Sequence, residues 1–323
     1  MSLPPSFSGS SRTLVPSLEV RLRRDGIVES RHRIHAVVCD VRGRVLMRAG
    51  DPQHLSFVRS ALKPFQASVF VASGAAERME CGNRGLAIAC ASHSGTAAHA
   101  REAFRLLWGA GLEPCQLQCP VPEAGSSPLE HNCSGKHAAF LATCRQMHWP
   151  FESYLRQDHP LQLEVVRRVG ELLGIPAAEL VSATDDCGAP TLQLRLAQMA
   201  LLMAHLGSGE QPDLERLCRA MLAHPDLVAG EGRFDTLVMR FAHGQVISKG
   251  GAEGIQSLCR VGEGLGVAIK VDDGASRAKH AVALHLLDQL GWLTPASLKE
   301  LRQNFLSPAD HLSLEVLGEL RFD

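Results

Sequence analysis

The feature that most constrains this chain is where its two hydrophobic periods lie. Alternating, β-branched runs sit near both ends, and the middle carries apolar residues at helical spacing. Residues 33–49, RIHAVVCDVRGRVLMRA, form two such runs around Val41-Arg42-Gly43, a hairpin signal. Beyond about residue 243, GQVISKG, GAEGIQSLCRV and GLGVAIKVDDG are three short runs separated by glycines, the pattern of an antiparallel meander. Between these ends lies a helical stretch that starts near Ser92 and stops at Gly109 and Gly111. A Pro/Cys/Gly-rich loop follows over 113–128, then helical patterns near 135–148, 161–174, 190–206 and 213–223. Residues 275–291 form an amphipathic helix closed by Gly291. The layout predicts an α+β fold: an antiparallel sheet of about five strands drawn from both chain ends, at 30–80 and 243–295, with a mostly helical region over about 80–240 inserted between them. Residues 13–323 then make a single unit, and residues 1–12 are expected to be a disordered tail.

Composition removes several function classes. Lys and Arg number 33 against 34 Asp and Glu, a net charge of -1, so no basic excess is present to displace counterions from a nucleic acid. No run of apolar residues is long enough for a membrane span. The first twenty residues lack a charged segment followed by an apolar one, so no secretory signal is expected and the chain reads as cytoplasmic. The ten cysteines fall mostly in apolar segments such as HAVVCD, LAIAC and LATC, which suits buried, reduced thiols.

Lysine is scarce. Of the 33 basic residues 27 are Arg, and the six lysines are 63, 136, 249, 270, 279 and 299. A chain that meets its general need for positive charge with Arg directs attention to each Lys, because only Lys can lose its proton to act as a base or a metal ligand. Compositional drift toward Arg accounts for Lys279 and Lys299.

Arg59-Ser60-Ala61-Leu62-Lys63-Pro64 sets a serine and a lysine three apart, on one face of a helix. A serine needs a base to become a nucleophile, and a lysine desolvated beside other cations can serve. Ser-x-x-Lys is the spacing of serine penicillin-recognising enzymes, although a capping serine beside a solvated lysine gives the same pattern. Ala91-Ser92-His93-Ser94-Gly95 meets a helix start and, by itself, reads as N-capping. In His131-Asn132-Cys133-Ser134-Gly135-Lys136-His137, the pairs Cys133/Lys136 and Cys133/His137 each have the spacing to ligate a metal from one helical turn. The Gly-Lys there lacks the preceding glycine and strand of a phosphate-binding loop. Thr184-Asp185-Asp186-Cys187-Gly188 puts a thiol and carboxylates at a turn. No second Cys stands at finger spacing from Cys133 or Cys187, so any metal must be gathered from distant segments. Lys249-Gly250-Gly251 ends a strand much as Lys-Thr-Gly does in β-lactamases, whereas Lys270-Val271-Asp272-Asp273-Gly274 reads as a structural turn.

Taken in order over residues 59–279, the segments RSALKP, SHSG, HNCSGKH, TDDCGAP, HPDLVAG, SKGGAEG and KVDDGASRAK resemble the Rhizobium etli-type L-asparaginases of the asparaginase II-like family. HNCSGKH and the Asp-Cys-Gly element are the specific ones. The resemblance implies a fold like that of serine β-lactamases and serine glutaminases. It implies two Ser–Lys pairs, Ser60 with Lys63 and Ser92 with Lys249, and a zinc held by Cys133, Lys136 and Cys187 with Asp185 and His137 nearby. It also implies a homodimer. One departure is visible: Lys249-Gly250-Gly251 stands where Lys-Thr-Gly is expected, which removes a hydroxyl that could orient a substrate carboxylate.

The expectation is therefore an amidohydrolase that converts L-asparagine to L-aspartate and ammonia. Ser60 attacks with Lys63 as base, Ser92 and Lys249 carry a proton to the leaving ammonia, and Arg59, Asp185 and His137 contact substrate. A β-lactamase or DD-peptidase-like hydrolase is the enzyme rival, and the lack of a signal segment weighs against it. A catalytically silent, zinc-binding sensor domain is the rival from another class, and the intact serines and lysines weigh against that.

Overall fold

Strand β2, Ile27–Asp40, is the spine of the molecule. Its first half pairs antiparallel with β1, Leu18–Arg24, and its second half with β3, Val45–Ala49, while β9, Leu265–Val271, runs along its other edge. The computed structural model describes residues 15–307 and 309–323. The remaining strands are β4, Leu55–Phe57; β5, Val181–Thr184; β6, Pro190–Arg195; β7, Val246–Gly250; β8, Ile255–Arg260; β10, Leu312–Leu317; and β11, Arg321–Phe322. The main sheet has eight strands, in the order β10-β1-β2-β9-β8-β7, with β3 and β11 continuing off β2; β4, β6 and β5 form a separate three-stranded sheet.

The fold is mixed α/β, with an antiparallel main sheet and many helices. The count of about five strands is corrected to eight. The hairpin and the meander are there, and β1, β10 and β11 join them. The Asp25-Gly26 turn joins β1 to β2 and Gly318 lies between β10 and β11, hairpin signals outside the stretches counted as strands. The helical pattern at 190–206 also divides: Pro190–Arg195 is a strand, and the helix begins at Leu196. Six residues suffice for a strand, and Leu192 and Leu194 are too few apolar positions to separate it from the helix that follows without a turn residue between. The tail expected over 1–12 lies outside the described residues.

Both faces of the sheet are covered. Along β2, Val37 and Cys39 face the helical middle, while Ala36 and Val38 face the C-terminal helices Ser276–Gln289 and Pro295–Phe305. The period-2 alternation thus feeds two cores at once. Helix Leu196–Ser208 lies so close on the sheet that a Cβ at Gly266 would sit 2.0 Å from the Ala200 carbonyl oxygen. Gly135 is bound by the same constraint, since its Cβ would meet the Ile88 carbonyl oxygen at 2.1 Å. The glycine of HNCSGKH is therefore required by packing. It lets helix Ser134–Met147 seat against helix Asn83–Ala89 and fixes the residues at its own N-terminus.

Candidate active site

The same alternation splits two polar neighbours at the end of β7. Ser248 faces one way and donates to Asp235 Oδ1 at 2.7 Å; Lys249 faces the other and reaches Ser92 Oγ at 2.9 Å. Lys63 arrives at the same oxygen from the first turn of helix Lys63–Ala72, with its Nζ 2.8 Å from Ser92 Oγ. The Lys63 ammonium also donates to the carbonyls of Ala91 (2.6 Å) and Asn132 (3.4 Å), so its three donors have three acceptors. Ser92 is pinned by its own backbone, whose N–H donates to the Val228 carbonyl in HPDLVAG. One serine hydroxyl thus sits between two lysines that are 1% and 0% exposed.

Two buried cations around one oxygen repel each other. Burial, and next to it the Lys63 charge, bring Lys249 down to about 7, with the Asp235 carboxylate opposing. Asp235 is buried too. Burial would raise its pKa, but Lys249 and the donors Gly250 N–H, Ser248 and Gln256 outweigh that and hold it low. Lys270 lies elsewhere: its Nζ donates to the carbonyls of Glu253 (2.6 Å) and Val271 (2.7 Å) and ties down the turn after β7.

Ser60 and Ser92 line one cleft of about 510 Å³, together with His93, Asn132, Arg233, Asp235, Gly250–Ala252, Lys279 and His280 among others. Ser60 follows Arg59, which holds a left-handed backbone (φ 50°) as the chain turns from β4 into the short helix Arg59–Leu62. Among the described residues Ser60 Oγ has no hydrogen bond, and the backbone N–H groups of Ser60 and Ala252 have none either. Two unspent donors beside a free hydroxyl are what an oxyanion needs.

Arg59, Asp185 and His137, expected to touch substrate, do not line this cleft. The Arg59 guanidinium is spent on Asp185 (2.7 Å) and Asp186 (2.5 Å), which locks the turn that carries Ser60. His137 Nδ1 lies 2.7 Å from the Tyr154 hydroxyl, whose oxygen accepts from Gln118 N–H, and the ring's other nitrogen is Nε2. That Nε2 is buried without a partner among the described residues.

Cys133, Lys136 and Cys187 do meet. The Lys136 ammonium is 3.0 Å from Cys187 Sγ, and Cys133 Sγ donates to Asn132 Oδ1 at 2.9 Å. The Cys187 thiol beside it, with burial opposing, pulls Cys133 well below its ordinary pKa, while the Cys133 sulfur and burial together push Cys187 up. Burial would lower Lys136, but the two sulfurs outweigh it and raise it. Two thiols and a lysine converge in a buried space; with the lysine's proton given up to a metal, that donor set fits zinc with a fourth position left over. A second group, His35, His54 and Asp272, has its ligand atoms within 4.8 Å of one another. There His35 Nδ1 accepts from Asp51 N–H, so Nε2 holds the proton and faces Asp272 (3.3 Å), the wrong polarity for a metal.

The sequence reading passed over Arg233, Asp235 and Lys279. Lys279, ascribed to drift, is only 7% exposed, and its Nζ donates to the Gly251 carbonyl at 2.7 Å; Lys299 is exposed. The usable signal was the rarity of lysine, which the amphipathic pattern of its helix obscured.

Buried lysines gathered on one serine at the wall of a cleft suit amide or ester cleavage. The chain belongs to the L-asparaginase II family, whose model matches residues 20–322. No curated protein matches the sequence. Among solved structures it is similar to Mglu in its native form, with 14% identity over 81% of this chain and 65% of that one and a TM-score of 0.38. Mglu in 4.3 M NaCl gives 13% identity, 80% and 61% coverage and a TM-score of 0.37, so this chain spans about three-fifths of that protein's length. A "putative beta-lactamase" from Bacteroides dorei DSM 17855 gives 12% identity, 85% and 95% coverage and a TM-score of 0.37. Among the described residues no helix is long and apolar enough to cross a membrane.

Proposed function

We propose that this chain is an L-asparaginase of the Rhizobium etli type, with residues 13–323 as one catalytic unit on a serine β-lactamase-like scaffold. The observation that carries the reading is Ser92 Oγ held between Lys63 and Lys249, in the cleft that Ser60 also lines. Ser60 Oγ attacks the side-chain carboxamide carbon of L-asparagine. The developing oxyanion is received by the N–H groups of Ser60 and Ala252. The Ser60 proton enters the Lys63–Ser92–Lys249 network, and the network protonates the nitrogen as the C–N bond breaks and ammonia leaves. Water then hydrolyses the ester to L-aspartate and restores Ser60. Arg59 and Asp185 act as positioning residues through the turn before Ser60. Cys133, Lys136 and Cys187 would hold zinc, which supplies a fixed positive charge for orienting a polar substrate group.

A specific observation favours a second reading, with Ser92 as nucleophile and Lys249 as base: Ser92 Oγ contacts both lysines, and Ser60 Oγ contacts neither. Peptide mapping of acid-quenched enzyme by mass spectrometry separates the two. An aspartyl adduct on the Ser60 peptide is expected, and an adduct on Ser92 installs the second reading. Hydrolysis of a chromogenic β-lactam, with no ammonia from asparagine or glutamine, ends both.

A further inference from the structure

The cleft that the two serines line also carries charge that the mechanism leaves unused, away from His93 beside Ser92 in sequence. Four ionisable side chains there are Arg233, Asp235, Lys279 and His280. Asp235 is spent: its oxygens accept from Ser248, Gln256 and the Gly250 N–H. His280 is driven down to about 4, by burial first and the Lys279 charge second, so near neutrality it is uncharged. The two cations remain. Arg233 is exposed, and its guanidinium has no hydrogen bond or carboxylate partner among the described residues. Lys279 Nζ has one partner, the Gly251 carbonyl, and no carboxylate within salt-bridge distance among the described residues, leaving donors open.

Gly250 keeps this wall open. A Cβ there would stand 3.4 Å from Lys279 Nζ, 3.3 Å from Asp235 Oδ2 and 3.0 Å from Gln256 Oε1, an acceptor that has no partner among the described residues. The gap left by the missing side chain is therefore bounded by a cation on one side and acceptors on the other. A free α-amino acid presents the matching pair, a carboxylate and an ammonium on one carbon.

We infer that Arg233 and Lys279 form the carboxylate anchor of the cleft and restrict it to amides of free amino acids. The inference rests on the asparaginase reading for the reaction but not for the binding. A charged hydrogen bond in a partly desolvated cleft favours the carboxylate-bearing substrate by about tenfold or more per donor. The anchor takes over the orienting role that a hydroxyl at position 250 would otherwise have.

The test uses the full-length protein and two measurements. In calorimetry, L-aspartate should bind, and Arg233→Gln and Lys279→Met should each weaken it by about tenfold or more. Succinamide, which has no carboxylate, should respond to neither substitution. In turnover, both variants should raise KM for L-asparagine with kcat held within about threefold, and should leave L-asparaginamide, already a poor substrate, unchanged. Lys279→Arg should restore most of the affinity. Arg233 is exposed, so its variant reports even if the buried Lys279→Met fails to fold. Wild-type affinity for L-aspartate in Arg233→Gln, or equal turnover of asparagine and asparaginamide by the unaltered protein, overturns the anchor. Binding of L-aspartate that depends on Arg233, with no ammonia released from asparagine, keeps the anchor and removes the asparaginase reading.

Discussion

Two buried lysines in this molecule have opposite fates. Lys249 stands beside another cation, Lys63, and burial with that repulsion brings it to about 7. Lys136 is equally buried, but its neighbours are the sulfurs of Cys133 and Cys187, and it is raised instead. Burial acts on both in the same sense, against charge. What differs is the sign of the neighbour, so one residue type yields a proton acceptor in the cleft and a thiolate-paired ammonium beside it. Desolvation alone would have made them alike.

The difference can be broken at its strongest point first. If Lys249 and Lys63 work by moving protons, Lys249→Arg and Lys63→Arg should lose about a thousandfold or more in kcat, as much as the alanine variants, because a guanidinium stays protonated. Near-normal rates in either Arg variant would reduce that lysine to a fixed charge. On the other side of the comparison, Cys187→Ser should lower bound zinc, measured by elemental analysis, from about one ion per chain to near none, and raise KM for asparagine by about tenfold with a smaller change in kcat. His35→Ala should leave the zinc content unaltered; loss of zinc there would move the metal to the second cluster.

The pH dependence gives the smallest effect and the finest test. A base lowered to about 7 is neutral above that value, so kcat/KM should fall about tenfold per unit as pH drops below it. The groups acting on Lys249 are Lys63, Asp235, Lys279 and Cys133, so the apparent value belongs to the set. Lys279→Met removes one repelling charge and should move the inflection upward; an unmoved inflection would detach Lys279 from the lysine network. Stability should follow the same sign. Between about 7 and the ordinary 10.5 the unfolded chain holds a proton that folded Lys249 does not, so the protein should gain stability as pH rises across that window, read as Tm.

Much of this was legible in residue patterns. The hairpin around Val41-Arg42-Gly43 and the glycine-bounded meander β7–β9 are local, since alternation and turn chemistry act over a few residues. Strand β6, PTLQLR, was not legible, because its two leucines run straight into the apolar residues of helix Leu196–Ser208 with no turn residue between to separate strand from helix. Ser60 and Lys63 are three apart in the chain, yet the hydroxyl at Lys63 Nζ belongs to Ser92. Arg59 was expected to reach substrate, and Asp185 and Asp186, more than a hundred residues away in sequence, claim it.

By itself the sequence determined which side chains were available for chemistry: two serines, a handful of lysines in a chain otherwise supplied with Arg, and two cysteines in turns. It also determined that β7 sends Ser248 and Lys249 to opposite faces, because strand alternation needs no tertiary information. Only the tertiary structure decided which lysine meets Ser92, since 157 residues separate Lys249 from it and Lys270 lies two strands away, on β9. Only the tertiary structure made Lys279 a buried cation at a cleft and set Lys249 and Lys136 apart. The physical reason is that burial and Coulomb interaction depend on distance in space, and that distance is fixed when β7 and its neighbouring helices close around Ser92.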